Sequence, residues 1–493
     1  MRRPKKGTQR HAVACAHPLS AQAGLEILEA GGNAYDAALA VSASLPVVQP
    51  HTNGLGSDFF AILREGRSIA LNSAGPAGSW ATIDRFHRSG LARIPDRGPL
   101  SSITVPGMIA AWSVLASRGN LGWKKSLAPA IRFAVQGFPA SPSLAHSLRS
   151  SRWADRDFRK EFAGVRAGRL LRRPQLARSL ARIASDGGHS FYHGSLARTI
   201  CRDLSRKGGL LQPSDFDIFR PEVLAPYRTH YRHYVVDTNP PPSQGATALI
   251  WFNLLGRNDI SSLSEREFVR TLERTMRIAY DYRAAYIGDP NFCRFPRELL
   301  RPTAEYLPIP AQRGLRPAHS DTTAFSVYDG DVGISAIQSN YGGFGSGILV
   351  RGTGITLNNR GSYFTLDASH HNSLAPGKRT FHTLMATCVS GPRTVLFGSM
   401  GGDVQPQVNV QVLTRHLDRD AALQDAIAAP RFAYPATIYG GARLIREPGL
   451  PLERARVVRG GRSSFGHAHG ISVGEELEVG VDPRGDGLLP LPS

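Results

Sequence analysis

Thr322 lies in the octet Asp-Thr-Thr-Ala-Phe-Ser-Val-Tyr, residues 321–328, and is the residue best placed to do chemistry. A threonine hydroxyl is a weak nucleophile until a base stands beside it. One solution makes the threonine a chain terminus, so that its own α-amine is the base. That amine has an ordinary pKa of about 7.7–8.0, so much of it can accept a proton near neutral pH. Thr322 is internal, so this chemistry requires a cut between Asp321 and Thr322. The flanking pattern suits one. Residues 315–321 read as a mobile loop, and Ala324, Ser326 and Tyr328 alternate with Phe325 and Val327 as in a half-buried strand. Asp329-Gly330-Asp331 then supply a turn before strand-forming residues resume at 332–337. An architectural reading stands beside this one, because β-branched residues favour strands in any case.

Other polar groups could complete a site. Gly401-Gly402 follow the strand candidate 395–398, and the amides of paired glycines can approach an oxyanion closely, although any sharp turn gives the same letters. Ser339 and Asn340 end the strand expected to pair with the Thr322 strand. Asn358-Asn359-Arg360-Gly361 and the run 378–383, Lys-Arg-Thr-Phe-His-Thr, are polar clusters in strand-rich surroundings. His382 is a general acid/base or substrate donor on one reading and a buried structural histidine on the other. No His/Asp/Glu spacing suggests a metal site, no G-x-S-x-G elbow is present, and no cofactor is implied.

The elements that must hold these groups change character along the chain. Residues 22–30 form an amphipathic helix ending at Gly31-Gly32-Asn33, and 36–45 form an apolar, buried one. The Gly-rich loop 51–58 leads into a strand at 59–64; it lacks the lysine context of a phosphate-binding loop. Residues 100–300 read as largely helical, with helices at 123–135, 246–255 and 265–286 and one starting at Pro106-Gly107. The Arg- and Leu-rich stretch 145–210 reads as exposed helix, 211–234 as irregular, and 240–243 as a rigid extended segment. From Thr322 to about Cys388 the chain reads as consecutive strands with glycine turns, and 395–430 as strand, turn and helix.

Composition bounds the rest. With 493 residues, 41% of them hydrophobic and 20% charged, the chain can bury a large core and has the make-up of a soluble globular protein. No apolar run reaches the length of a membrane span, and the basic start is not a secretory signal, so a cytoplasmic location and no membrane partner are expected. The net charge of +20 comes mostly from arginine. Because the arginines are dispersed and no nucleic-acid motif accompanies them, they read as spread over the surface rather than as a nucleic-acid face. Cys15, Cys201, Cys293 and Cys388 are far apart and read as reduced, mostly buried thiols.

A longer set of segments occurs in order: His17-Pro18-Leu19-Ser20, Gly31-Gly32-Asn33-Ala34, the run 49–56 (Gln-Pro-His-Thr-Asn-Gly-Leu-Gly), Val105-Pro106-Gly107, Pro240-Pro241-Pro242-Ser243, Thr322-Thr323-Ala324-Phe325, Phe344-Gly345-Ser346-Gly347, Leu357-Asn358-Asn359, Pro376-Gly377-Lys378-Arg379, Gly401-Gly402, Ala429-Pro430-Arg431-Phe432 and Asp482-Pro483-Arg484-Gly485-Asp486-Gly487. Over roughly residues 10–490 this set resembles the γ-glutamyltransferase family of N-terminal-nucleophile hydrolases. The resemblance implies an α/β chain folded as a four-layer αββα sandwich. It implies a precursor that cuts itself before the threonine into a large helix-rich fragment, 1–321, and a small strand-rich fragment, 322–493. These stay associated in one unit, and such units could pair as a dimer. It also implies Thr322 as nucleophile, Gly401 and Gly402 as oxyanion hole, and Ser339 as the hydroxyl supporting the nucleophile. Asn340, Asn359, Tyr363, His382 and Thr383 would line the substrate.

The chain departs from the γ-glutamyl pattern at the substrate head. The family's Arg-Glu-Thr-Ala-Pro stretch is Asn72-Ser73-Ala74-Gly75-Pro76 here, without an arginine. Its acidic residue after the paired asparagines is replaced within Gly361-Ser362-Tyr363-Phe364, and its two serines by His382-Thr383. Those losses remove both charge partners of a zwitterionic head. The variants resemble the amidase-like branch, which includes oxamate amidohydrolase and cephalosporin acylase-type proteins. The expectation is therefore an autoprocessing amidohydrolase of a small amide or acyl-amide, with water as acceptor. A genuine γ-glutamyltransferase or glutathione hydrolase, and a catalytically silent scaffold on the same fold, are the alternatives.

Overall fold

The computed structural model describes residues 11–303, 309, 321–434, 443–459 and 462–487. Of the loop expected at 315–321, only Asp321 falls among them.

Two six-stranded antiparallel sheets dominate. The first is built from β1 (Ala12–Cys15), β2 (Asp58–Glu65), β3 (Arg67–Ser73), β4 (Glu222–Leu224), β7 (Asp321–Tyr328) and β8 (Gly333–Tyr341), in the order β1-β7-β8-β2-β3-β4. The second takes β5 (Tyr227–Tyr231), β6 (Tyr234–Thr238), β9 (Ala386–Ser390), β10 (Thr394–Ser399), β11 (Ala468–Val473) and β12 (Leu477–Val481), in the order β12-β11-β10-β9-β6-β5. Each sheet therefore mixes strands from before and after Thr322.

The period-2 alternation of strand side chains sorts the core into layers. On the first sheet Phe60, Ala324 and Ile337 point inward and meet Ala386, Leu396 and Ile471 of the second sheet in one apolar cluster. The opposite face, with Phe59, Phe325 and Val327, packs under α1 (Pro18–Glu29), α2 (Ala34–Val48), α3 (Met108–Ala116) and α4 (Gly122–Gln136). The outer face of the second sheet, with Val236, Val389 and Phe397, packs under α5 (Gly245–Gly256), α6 (Glu265–Tyr286) and α7 (Gln405–Asp418). The result is the four-layer αββα sandwich.

Local signals start the helices where expected. Pro18 occupies the first turn of α1, and His17 Nδ1 accepts the Leu19 amide at 3.2 Å. Asn33 and Asp36 form a capping box at α2, whose residues are all buried. Among the described residues no helix is long and apolar enough to cross a membrane. Cys15, Cys201 and Cys388 are buried free thiols, and Cys293 is partly buried.

Two expectations are corrected. Residues 211–234 are not irregular: they contain a short helix, Pro213–Asp217, and supply β4 and β5 at one edge of each sheet. Edge strands tolerate charge, and β5 exposes Arg228 and His230 while burying Thr229 and Tyr231, so its alternation carries little apolar signal. The arginines are also not all superficial. Arg173, Arg283, Arg360 and Arg431 are among the largest fully buried side chains.

Candidate active site

Thr322 shares the inward-facing parity of Ala324 and Ser326 on β7, and it is 2% exposed. The register across the sandwich locates what lies opposite. Ser326 Oγ donates to the Leu396 carbonyl at 3.1 Å. A Cβ at Gly398 would sit 2.9 Å from that of Ala324, so the two sheets approach there as only glycine permits. Moving back two residues on β7 moves forward two on β10, so Thr322 and the Gly401-Gly402 turn, which follows the end of β10 at Ser399, lie towards the same end of the paired sheets.

Thr323 points the other way, into the helical layer. Its hydroxyl lies 2.7 Å from Thr52 Oγ1 and 3.4 Å from both Asn53 Nδ2 and Gln49 Oε1. Asn53 Oδ1 in turn accepts from Gln338 Nε2 at 2.8 Å. The 49–53 segment thus anchors the start of β7 from behind.

The pairing of β7 with β8 is regular from Tyr328 to Thr323, where Thr323 faces Gln338, and resumes with Asp321 facing Tyr341. Ser339 and Asn340 therefore stand opposite Thr322 alone. This is a β-bulge, a device that re-aims side chains beside active sites. Tyr341 completes it with φ +79°, a conformation few non-glycine residues adopt. The bulge brings Ser339 Oγ to 2.7 Å from the Asp321 carbonyl oxygen. The Tyr341 amide donates to the same hydroxyl at 2.7 Å, which leaves the Ser339 proton for that carbonyl.

Gly401 and Gly402 have φ of +129° and +59°. A side chain at Gly401 would also meet Val404 at 2.5 Å. A buried polar clamp holds the turn. Gln244 Nε2 donates to the carbonyls of Gly402 at 2.8 Å and Thr383 at 2.7 Å. Arg283 Nη1 bridges Gln244 Oε1 and Asp403 Oδ1, both at 2.8 Å. The Tyr363 hydroxyl donates to Asp403 Oδ1 at 3.1 Å. Burial beside Asp403 raises the Tyr363 hydroxyl well above the ordinary phenol range, so it remains a donor.

A second charged group flanks the bulge. Asp58 on β2 faces Ser339 across the sheet. Its Oδ2 lies 3.1 Å from His382 Nε2 and 3.4 Å from Arg360 Nε. The Leu384 amide donates to His382 Nδ1 at 3.2 Å, so the ring proton belongs on Nε2, directed at Asp58. Burial, with Arg360 adding to it, pulls His382 well below the ordinary imidazole range and keeps the ring neutral. Burial lifts the Asp58 carboxyl to about 7 against the opposing pull of Arg360. Arg360 also donates to Thr383 Oγ1 at 3.3 Å and stacks on the Tyr341 ring, 4.4 Å from its centroid.

The structure sets Ser339 opposite Thr322 at the bulge, ties His382 to Asp58 beside Ser339, and ties Thr383 to Arg360 and Gln244, while the Gly401-Gly402 turn lies towards the same end of the sheets as Thr322. It uses the amides of Asn340 and Asn359 within the protein: Asn340 pairs with Ser57 and Thr356, while Asn359 accepts from Gly342 and donates to the Asp96 carbonyl. Tyr363 serves the clamp. The sequence reading did not single out Asp58, Gln244, Arg283 or Asp403, and it noted Arg360 only within a polar cluster. Arg360 and Asp403 had a local signal, each adjoining a motif already singled out. Arg283 had none, because α6 carries arginines along much of its length.

Comparison with known proteins gives the family. The family model described as Gamma-glutamyltranspeptidase matches residues 20–489. The chain is 38% identical to the Glutathione hydrolase-like YwrD proenzyme of Bacillus subtilis, over 96% of this chain and 97% of that one. It is 33% identical to the Oxamate amidohydrolase proenzyme of Klebsiella pneumoniae, over 97% and 98%. Its fold matches the crystal structure of cephalosporin acylase from Bacillus halodurans with a TM-score of 0.87 and 34% identity, over 99% and 97% of the two chains. The chain thus belongs to the gamma-glutamyltranspeptidase family, on its amidase-like side, and is a hydrolase of amide bonds.

Proposed function

We propose that this protein is a self-cleaving amidohydrolase that attacks a small amide or acyl-amide with Thr322. The observation that carries the reading is the Ser339 hydroxyl donating to the Asp321 carbonyl at the bulge, beside Thr322. That hydrogen bond polarises the carbonyl which the Thr322 hydroxyl must attack. Attack forms a Thr322–Asp321 ester and breaks the peptide C–N bond, and the proton of the hydroxyl ends on the amine. Water then hydrolyses the ester, leaving an Asp321 carboxylate and a free Thr322 amine. Relatives named as proenzymes support such processing.

In the cut enzyme the Thr322 amine takes the hydroxyl proton as Oγ1 attacks the substrate carbonyl. The Gly401 and Gly402 amides stabilise the resulting oxyanion, and the clamp of Gln244, Arg283 and Asp403 holds them in place for it. The leaving amine takes the proton, and water releases the acyl group. Both fragments contribute strands to both sheets, so 1–321 and 322–493 remain one folded unit after the cut. A γ-glutamyl head is disfavoured: the stretch at 72–76 has no arginine, and the Tyr363 hydroxyl is already given to Asp403. The names of the oxamate amidohydrolase and cephalosporin acylase relatives point the same way. Mass spectrometry of the purified protein tests the reading, with a fragment beginning Thr-Thr-Ala-Phe expected and an intact, inactive chain refuting it.

A further inference from the structure

Resting on the reading above, we propose that Thr323 is a positioning residue for Thr322 in the cut enzyme: its hydroxyl, bonded to Thr52, holds the freed chain end in place and serves turnover far more than self-cleavage. The strand ladders set up the need. The regular pairing of β7 with β8 ends at Thr323 opposite Gln338, and its pairing with β1 ends at Phe325 opposite Cys15. Thr322 therefore lies beyond the regular ladder on both sides. Before the cut it is tethered from both directions, because Asp321 faces Tyr341 and its carbonyl accepts from Ser339. Breaking the peptide bond severs Thr322 from Asp321, and those two ties then hold the end of fragment 1–321 instead. Thr322 keeps one covalent neighbour, Thr323.

Thr323 is built into a polar chain that crosses the two fragments. Its hydroxyl lies 2.7 Å from Thr52 Oγ1. Thr52 gives its own proton to the Gln49 carbonyl at 3.1 Å and accepts from Asn53 Nδ2 at 2.8 Å, which leaves Thr323 as the donor in the pair. Asn53 Oδ1 accepts from Gln338 Nε2 at 2.8 Å, Gln338 Oε1 accepts from Ser42 Oγ at 2.5 Å, and Ser42 Oγ accepts from Trp112 Nε1 at 2.7 Å. Every member is buried. Thr323 and Gln338 belong to 322–493 and the rest to 1–321. The chain thus ties the last ladder pair to α2, α3 and the 49–53 segment through bonds that the cut leaves intact. Chain ends lose order unless something ties them down. For a nucleophile whose own amine is the base, a shift of about 1 Å can cost on the order of 100-fold in rate.

Thr323→Val keeps the shape of the side chain and removes the hydroxyl, Thr323→Ser keeps the hydroxyl, and Thr52→Val removes the acceptor. Each is measured for self-cleavage and for steady-state hydrolysis of oxamate and a glutaryl amide. Thr323→Val should self-cleave at close to the wild-type rate but lose roughly ten-fold in kcat with KM little changed. Thr323→Ser should recover most of that loss and Thr52→Val should reproduce it. The double valine variant should be no worse than either single one, because both remove the same bond. Hydrogen exchange reads the same point without a substrate. Thr323→Val should speed exchange at the start of β7 in the cut protein and leave it nearly unchanged in an uncut Thr322→Ala background. A wild-type kcat in Thr323→Val, an equal slowing of cleavage and turnover, or the same exchange change before and after the cut overturns the proposal. If Thr323→Val fails to fold, Thr52→Val and Thr323→Ser decide it. A wild type that cleaves but hydrolyses neither amide sinks the amidohydrolase reading, and the exchange comparison then decides this one. A wild type that never cleaves sinks both.

Discussion

Ser339 Oγ and the Asp321 carbonyl oxygen, 2.7 Å apart, face each other across a bulge that gives β8 two residues where β7 has one. Without that extra residue the two strands would stay in plain register at Thr322, and Tyr341 would not face Asp321. In the proposed self-cleavage the hydroxyl sits where a donor is needed, on the oxygen that would become negative as Thr322 attacks.

Self-cleavage should therefore depend on both side chains, in different ways. Thr322→Ala removes the attacking oxygen and should leave one band on a denaturing gel. Ser339→Ala removes a single hydrogen bond to a developing charge. At about 1.5–3 kcal/mol for such a bond, cleavage should slow by roughly 10- to 100-fold without being lost. Full-rate cleavage in Ser339→Ala would show that the bond has no part in the step.

Turnover should need the neutral Thr322 amine. As pH falls the amine protonates and can no longer accept the hydroxyl proton, so kcat/KM should drop with an apparent pKa within about a unit or two of the free-amine value. His382 is buried and neutral, with Nδ1 engaged by Leu384 and its other nitrogen at Asp58, so it does not supply this limb. The acid limb should persist in His382→Ala even if the rate falls. Its disappearance in a protein that still self-cleaves would transfer the base to His382.

Hydrolysis should favour amides without an α-amino-acid head. Two charged contacts of a γ-glutamyl substrate are missing, each worth about 1.5–3 kcal/mol, so discrimination on the order of hundreds-fold or more is expected if the losses add. Steady-state rates on γ-glutamyl-p-nitroanilide, with and without a dipeptide acceptor, are compared with oxamate and a glutaryl amide. Efficient dipeptide-stimulated release from the γ-glutamyl compound would reinstate transferase activity.

Acid should destabilise the fold before it titrates ordinary carboxylates. Burial pulls His17 and His51 down to about 4 and His469 to about 3, against 6.5 for a free imidazole. Between about 6.5 and 4 the unfolded chain binds protons there that the folded chain does not. The stabilisation is thus complete above about 6.5 and is lost as pH falls, by up to about 1.4 kcal/mol per pH unit for each histidine. Asp58, raised from 3.8 to about 7, acts in the opposite direction over the same window, as do the raised carboxyls of Asp281 and Asp418, but burial lowers His371, His382, His416 and His467 as well, so seven histidines stand against three carboxyls. Thermal melts at pH 7 and pH 5 should show a lower Tm at pH 5, whereas an unchanged Tm would mean that these histidines do not stay buried and neutral when folded.

Sequence alone was enough to locate Thr322 at the start of a strand, the helices flanking Gly31-Gly32-Asn33, the long α6, and the order of motifs that resembles this family. These are local properties: caps, glycine turns and side-chain periodicity act within a few residues, and each leaves its mark on adjacent letters. The substrate-head departures at 72–76 and 361–364 were legible for the same reason. The edge strands β4 and β5 were not, because a strand with one partner can carry arginine and histidine on its open face and loses its apolar alternation. Which arginines are buried was also closed to the sequence. Arg283 and Arg257 are letters of one kind in one arginine-rich chain, yet Arg283 is sealed against Gln244 and Asp403 while Arg257 ends α5 at the surface. The meeting of Asp58, Ser339, Arg360 and His382 joins segments as much as 324 residues apart. Only the stacking of the two sheets brings them together, because long-range partners of a charge are chosen by packing, and packing is not written in the spacing of neighbours.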